Sequence, residues 1–393
     1  MTREHCDVLI LSASYGGGHN QVAKALTQAL KMQDPSIRAI TVDYCDLLAP
    51  LLIRLSQFGY MQSLRHFPVG YALYYQATGK MSPDSFWQRR LNRMGYSELI
   101  SLVNRLDPKV VISTFPLAAG VLSEMKESGE LDVPLITVIT DYCVHSQWIH
   151  PYTDLYLVGS TEMVDGLIER GIPSSRIAVT GIPILPYFYE SYDPETVKQA
   201  YGISPQDKLV LFMGGSDGVF GSFRFGHILK DLPPTATALV ITGSNQELFE
   251  KLSAISEKYP RIKPVRYIEN VAAVMEAADV LVTKAGGITV SEALAKRLPM
   301  VIYKPNPGQE EANANYLWRH RVAIIAKGER RLKTAICRVV TDARFRERLS
   351  RRCEELGKPD AALRCARIIY RMLRPLPRSA NFYKKTVRRE IRA

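Results

Sequence analysis

The chain has 393 residues, 46% hydrophobic and 23% charged, which are the proportions of a soluble globular protein long enough for two domains with separate cores. No uninterrupted apolar run reaches the ~18 residues that would span a bilayer, and residues 1–7 lead into a strand with no secretory apolar segment, so a cytoplasmic location is expected. Six scattered cysteines without C-x-x-C spacing suggest neither a zinc site nor a disulfide framework, and a formal charge of +12 implies an acidic partner: anionic lipid, nucleic acid or a phosphorylated substrate.

The first predicted strand, 8–12, runs into Ala13-Ser-Tyr-Gly-Gly-Gly-His-Asn20 and then a helix whose Val22, Ala25, Leu26, Ala29 and Leu30 share one face. Gly16, Gly17 and Gly18 thus form the glycine turn between a strand and a helix N-terminus, a place suited to phosphate. Only half of the dinucleotide fingerprint is present, because Gln21 stands where the third glycine belongs; a Rossmann cofactor is disfavoured even though Asp43 ends the next strand. His19 falls in the first turn of the helix, where the dipole keeps an imidazole neutral near pH 7. It is either a general base toward an attacking hydroxyl or a packing histidine.

Between 51 and 96 the pattern changes: Phe58, Tyr60, Phe67, Tyr71, Tyr74, Tyr75, Phe86, Trp87 and Tyr96 are interleaved with Arg54, Arg65, Lys80, Arg89, Arg90 and Arg93, and Asp84 is the only acid. Such a mixture fits a membrane interface, single-stranded nucleic acid, or an aromatic core with arginines outside. Alternation resumes with strands at 110–114, 134–140, 155–158 and 176–180 and helices at 117–127 and 161–169. The loop Thr140-Asp-Tyr-Cys-Val-His-Ser-Gln-Trp148 follows a strand end, where ligand-binding groups concentrate. Asp141 and His145 there either orient an acceptor or cap the loop.

The tract 181–194, rich in proline and aromatics, interrupts the periodicity and is the expected linker. It divides the chain into domains at 1–190 and 191–360, followed by a basic tail at 361–393. In the second half, strands at 209–213, 238–242, 262–267, 280–283, 300–303 and 323–326 alternate with helices, so the expected fold class is α/β, two doubly wound Rossmann-like domains facing across a cleft. Gly214-Gly-Ser-Asp-Gly-Val-Phe-Gly-Ser222 closes the first of these strands with a third glycine-rich turn. Thr283-Lys-Ala-Gly-Gly-Ile-Thr289 repeats the scheme: Gly286 and Gly287 break a strand and Thr289 opens a helix, leaving amides for a nucleotide diphosphate. Thr289 and Glu292 also fit a capping box. Gln309, Glu310, Glu311 and Asn313 lie just past the carboxyl end of 300–303, as hydroxyl-binding groups or as an ordinary helix start. The end of the chain is helix-forming and basic, with Arg364, Arg367, Arg371, Arg374, Arg378, Lys384, Lys385, Arg388, Arg389 and Arg392: a solvated face, or an element for a membrane surface or acidic partner.

Tyr15-Gly-Gly-Gly-His19, Thr140-Asp141 with His145 and Trp148, Thr180-Gly-Ile-Pro183, Thr283-Lys-Ala-Gly-Gly-Ile-Thr289, and Tyr303-Lys-Pro through Pro307-Gly-Gln-Glu310 with Asn313 resemble the GT-B glycosyltransferases. More narrowly, the chain resembles the monogalactosyldiacylglycerol synthase and processive diacylglycerol β-glucosyltransferase family. The resemblance implies an inverting transferase that moves a hexose, glucose favoured over galactose, from a UDP-sugar to diacylglycerol or a related lipid. It implies peripheral association with the inner face of the cell membrane, no catalytic metal or other cofactor, and no nucleic-acid partner. By resemblance, Gly214, Gly215 and Thr289 hold the nucleotide phosphates, with Thr283, Lys284, Gly286 and Gly287 in the same turn. Glu292 holds the ribose diol, and Gln309 and Glu310 the sugar hydroxyls, with Asn313 beside them. His19 is the acceptor-side base, flanked by Gly16, Gly17, Gly18 and Trp148, with Asp141 or His145 orienting the acceptor and Lys284 or Arg224 offsetting charge on the leaving diphosphate. A UDP-N-acetylglucosamine 2-epimerase, two Rossmann-like domains around UDP, is the alternative, and a non-catalytic sugar-nucleotide sensor or nucleic-acid-binding protein is a third reading; an epimerase has no use for a lipid surface.

Overall fold

The structure, a computed structural model, describes residues 4–15, 17–48, 59, 67–79, 85–215, 228 and 231–374. Gly16, Arg224, residues 216–222 of the third glycine-rich turn, much of the tract between 51 and 84, and the basic tail from 375 lie outside the described residues.

The first unit carries a wholly parallel six-stranded sheet in the order β2-β1-β3-β4-β5-β6: β1 Val8–Ser12, β2 Ala39–Asp43, β3 Val110–Ser113, β4 Leu135–Val138, β5 Leu155–Val158 and β6 Ile177–Val179. Its central strands are continuous apolar runs because helices cover both faces, and every residue of β1, β3, β4 and β5 is buried. The second unit repeats the plan in the order β12-β11-β10-β7-β8-β9: β7 Lys208–Met213, β8 Ala236–Ile241, β9 Ile262–Val265, β10 Val280–Thr283, β11 Met300–Tyr303 and β12 Ala323–Ala326. All described strand pairs are parallel, so every carboxyl end in a sheet points to one edge.

Strand order fixes where a ligand can enter each unit. The chain leaves β1 for β2 on one side and returns to β3 on the other; in the second unit it leaves β7 for β8 and β9 and returns to β10. At such a switch the two following loops diverge and open a crevice at the carboxyl edge. Gly17 and Gly18 after β1 stand at the first of these crevices, and Gly214, Gly215, Gly286 and Gly287, after β7 and β10, stand at the second.

The chain divides at Pro186/Tyr187, and Tyr187–Pro359 form the second unit. From Asp360 the chain rejoins the first unit, whereas the sequence reading set a separate tail there. Helix Ala361–Leu373 lies against helix Gly18–Gln33 and buries Ala361, Ala362, Cys365, Ala366 and Ile369. Apolar residues at this spacing form one face of a helix, and burying that face draws the segment back onto the first sheet's helix layer. Arg364, Arg367, Arg371 and Arg374 are left exposed along the other side. Among the described residues no helix is long and apolar enough to cross a membrane.

Candidate functional site

In the first unit, the turn after β1 is tied down by polar side chains. The Ser14 amide donates to Asp43 Oδ1 at 3.3 Å and the Ser14 hydroxyl donates to the other carboxylate oxygen; Asn20 Nδ2 donates to Ser14 Oγ at 3.0 Å, and the Ser12 hydroxyl donates to the Asn20 side-chain carbonyl. Burial pushes the Asp43 carboxyl up, but hydrogen bonds from Ser14 and Cys45 outweigh it and hold the group below its ordinary value. Asp43 therefore anchors the turn as an anion. In the sequence Asp43 is marked only by its place at the end of β2, and nothing local to Ser14 or Asn20 signals their part in the turn.

His19 stands in the crevice between β1 and β3, in the first turn of helix Gly18–Gln33. Its Nδ1 lies 2.6 Å from the Thr114 carbonyl oxygen, just past β3, and 3.4 Å from Thr140 Oγ1. A carbonyl only accepts, so Nδ1 carries the ring proton and Nε2 carries the lone pair. Nε2 has no hydrogen-bond partner among the described residues. The ring meets Phe115 edge-on, with centroids 5.3 Å apart, and leans on Trp148 at 6.1 Å. Burial lowers the pKa of His19 from 6.5 to about 4, against smaller upward pulls from the Thr114 carbonyl and Asp43. The ring is neutral at pH 7 as the sequence reading expected, but burial between aromatic rings outranks the helix dipole as the cause.

The loop after β4 brings Trp148 to His19 and carries Asp141, half-buried, and His145, buried. His145 donates from Nε2 to the Tyr75 carbonyl at 2.9 Å and accepts at Nδ1 from the Gln147 amide at 3.3 Å; its ring centroid is 4.3 Å from that of Tyr75. Both of its nitrogens are committed within the fold, so it has no lone pair to offer a substrate.

In the second unit, β7 ends at Met213 and continues into Gly214 and Gly215, the latter at φ 88°. The adjacent β10 ends at Thr283, and Lys284-Ala-Gly286 turns the chain into helix Gly287–Ala295. Ala285 is fully buried at φ 77°, in the left-handed region that disfavours a Cβ. Its carbonyl accepts from Asn313 Nδ2 at 3.0 Å. Asn313, fully buried, thus holds the turn rather than reaching for a ligand with that amide.

The helix opens two residues earlier than expected, with Gly286 as N-cap and no side chain capping it; its first backbone bond runs from the Val290 amide to the Gly286 carbonyl at 3.0 Å. Thr289 is already inside the helix, so the capping box does not form. The amides of its first turn have no intrahelical acceptor. Glu292, one turn further, is only 8% exposed, and its carboxyl has no hydrogen-bond partner among the described residues. Burial alone raises its pKa from 4.5 to about 8. Tyr187 lies close enough for the Glu292 charge to raise its phenol further, after burial.

Helix Gln309–Arg319 follows β11, next to β10. Gly308 at φ 91° caps it, the Asn306 amide donates to Glu310 Oε2 at 2.6 Å, and the Glu311 amide donates to the Asn306 carbonyl at 3.2 Å. One carboxylate oxygen of Glu310 therefore closes its own loop. Gln309 is half-buried beside it.

Residues 19–184 match the monogalactosyldiacylglycerol (MGDG) synthase family, and residues 209–363 match the glycosyltransferase family 28 C-terminal domain. The processive diacylglycerol beta-glucosyltransferase of Bacillus thuringiensis (strain Al Hakam) is 32% identical over 326 residues, covering 82% of each chain. The chain belongs to this glycosyltransferase family. Its two-sheet architecture is the GT-B fold: the solved glycotransferase of kitacinnamycin superposes with a TM-score of 0.64 at 16% identity, over 94% of this chain and 100% of that one. The UDP-GlcNAc 2-epimerase of Neisseria meningitidis, solved with UDP-GlcNAc, superposes with a TM-score of 0.58 at 12% identity, over 93% and 99%. At such identities a likeness shows the fold alone. Family membership, not fold, separates transferase from epimerase.

Proposed function

We propose that this glycosyltransferase moves a hexosyl group, glucose in preference to galactose, from a UDP-sugar to the hydroxyl of diacylglycerol or a related lipid, with inversion at C1. The observation that carries this reading is His19, an imidazole with its proton held on Nδ1 by the Thr114 carbonyl and an Nε2 lone pair that no described residue claims. A hydroxyl nucleophile needs such an acceptor for its proton.

In the second unit, the uncapped amides of helix Gly287–Ala295, with Gly214, Gly215 and Thr289, take the diphosphate, favoured by the helix dipole. The Glu292 carboxylate accepts from the two ribose hydroxyls, and Gln309 and Glu310 meet the sugar hydroxyls. In the chemical step the acceptor oxygen bonds to C1 as its proton passes to His19 Nε2. The bond from C1 to the diphosphate oxygen breaks, and UDP leaves with the electron pair. Fixed amides and Lys284 stabilise the charge that builds on the diphosphate. Asp141 orients the acceptor from the half-buried loop beside His19.

The first unit carries features that suit an anionic bilayer at the inner membrane face. Helix Pro68–Thr78 and the residue before it leave Phe67 72% exposed, Val69 72% and Leu73 63%, and Arg89, Arg90 and Arg93 are exposed in the segments that follow. Apolar side chains enter the headgroup region and arginines meet lipid phosphate. The exposed arginine row of helix Ala361–Leu373 adds to this field.

The test is incubation with UDP-glucose or UDP-galactose and diacylglycerol vesicles, with lipid products resolved by mass and anomeric configuration by NMR. A β-hexosyl lipid supports the proposal. Conversion of a UDP-sugar with no lipid present favours epimerisation, and an unchanged UDP-sugar and lipid refute transfer.

A further inference from the structure

The exposed apolar helix and the imidazole of His19 are joined through a single loop. At its two ends, Thr140 Oγ1 lies 3.4 Å from His19 Nδ1 and the Trp148 ring leans on the imidazole, with centroids 6.1 Å apart. In the middle, three consecutive polar contacts reach the last turn of helix Pro68–Thr78: Cys143 Sγ to Tyr75 Oη at 3.5 Å, His145 Nε2 to the Tyr75 carbonyl at 2.9 Å, and the Ser146 hydroxyl to the Thr78 carbonyl. The Tyr75 carbonyl also accepts the Gly79 amide at 2.9 Å, and the Thr78 carbonyl ends the helix, so the two bonds from His145 and Ser146 fasten its closing turn to the loop. Gly79 records how close the two segments lie: a Cβ there would sit 3.3 Å from His145 Nε2.

His145 is the centre of this junction. It bonds the helix through Nε2 while Nδ1 accepts the Gln147 amide, and its own carbonyl accepts the Trp148 amide at 3.0 Å. A displacement of the helix end is therefore passed to the short turn Ser146–Trp148, and from there to the ring that flanks His19. The same helix displays Val69 and Leu73, one turn apart and N-terminal to that closing turn, to solvent.

We propose that His145 is a positioning residue that couples engagement of the apolar helix by lipid chains to the placement of Trp148 against His19. Lipid contact then acts on turnover rather than on donor affinity. This rests on the transfer reading above.

The full-length protein is assayed with UDP-glucose and phosphatidylglycerol vesicles containing diacylglycerol. His145→Ala is expected to lower kcat about tenfold through misplacement of the acceptor side, with the UDP-sugar KM unchanged within about twofold. His145→Gln, whose amide can still donate to the Tyr75 carbonyl, recovers most of the loss. Ser146→Ala, which removes only the neighbouring tie, gives a smaller loss and serves if His145→Ala does not fold. In a Trp87→Phe/Trp318→Phe background, the emission of Trp148 shifts on adding vesicles, and His145→Ala abolishes that shift. Full kcat in His145→Ala, equal loss of kcat and UDP affinity, or no recovery in His145→Gln overturns the coupling. If the unaltered protein makes no glycolipid, the transfer reading fails, and the Trp148 shift still decides whether lipid contact reaches this loop.

Discussion

Glu292 offers the most direct test of the donor side, because its two consequences run in opposite directions. The carboxyl is buried with no hydrogen-bond partner among the described residues, and that burial puts its pKa near 8 in the folded protein against 4.5 for an ordinary glutamate. Below pH 4.5 both folded and unfolded chains hold the proton and no difference arises. Between 4.5 and 8 the unfolded chain ionises while the folded one does not, so stability falls by about 1.36 kcal/mol per pH unit, and the fall ends once pH passes the folded value. At pH 7 the accumulated cost is about 3 kcal/mol. Glu292→Gln keeps the shape and removes the ionisation, so the ligand-free variant should be more stable than the parent by about that amount at pH 7, with a gap that widens from pH 5 to 8. In thermal unfolding of the second unit this corresponds to roughly 6–12 °C. UDP affinity should move the other way, falling about 10- to 100-fold as charged hydrogen bonds to the ribose diol are lost. In the parent, donor affinity should rise as pH rises toward 8, since the diol needs the carboxylate. The measurements are urea and thermal unfolding across pH, with calorimetric UDP titration. A stability difference that does not change with pH, or UDP binding indifferent to the substitution, refutes the argument.

His19→Ala should leave UDP binding nearly intact and lower turnover about 100-fold or more, read as kcat with UDP-glucose and diacylglycerol; undiminished turnover removes it from the role of base. Because the pKa of His19 is lowered to about 4, the acid limb of the activity profile that belongs to this group should lie near pH 4 rather than 6.5. The matching stability is present above pH 6.5 and is lost as pH falls toward 4, which pH-dependent unfolding of the parent and His19→Ala would display. Asn313→Leu leaves the Ala285 carbonyl buried and unsatisfied, so the second unit should lose about 1–3 kcal/mol in urea unfolding and bind UDP more weakly as the Lys284-Ala-Gly286 turn relaxes.

The alternation of apolar strands and helices was legible because its periodicities are local. The strands at Leu155–Val158, Val280–Thr283, Met300–Tyr303 and Ala323–Ala326 appear at the residues the pattern marked. The three glycine turns were legible for the same reason, since glycine breaks a run wherever it stands. Which turns share a crevice was not, because strand order depends on how each crossover packs, and no short window of sequence records that.

The side chains of the site divide in the same way. Glu292 and His19 were visible by residue type and position; the burial that sets their charge was not. His145 meets a carbonyl 70 positions away, His19 one 95 away, and Asn313 one 28 away. The sequence by itself determined two parallel α/β halves and the turns where anions can bind. Only the tertiary structure decided that Asn313 and His145 hold backbone, that helix Ala361–Leu373 returns to the first unit, and that no described residue takes the Nε2 lone pair of His19. Hydrogen-bond partners and desolvation are properties of what surrounds a group in space, and chain neighbours supply little of that surrounding.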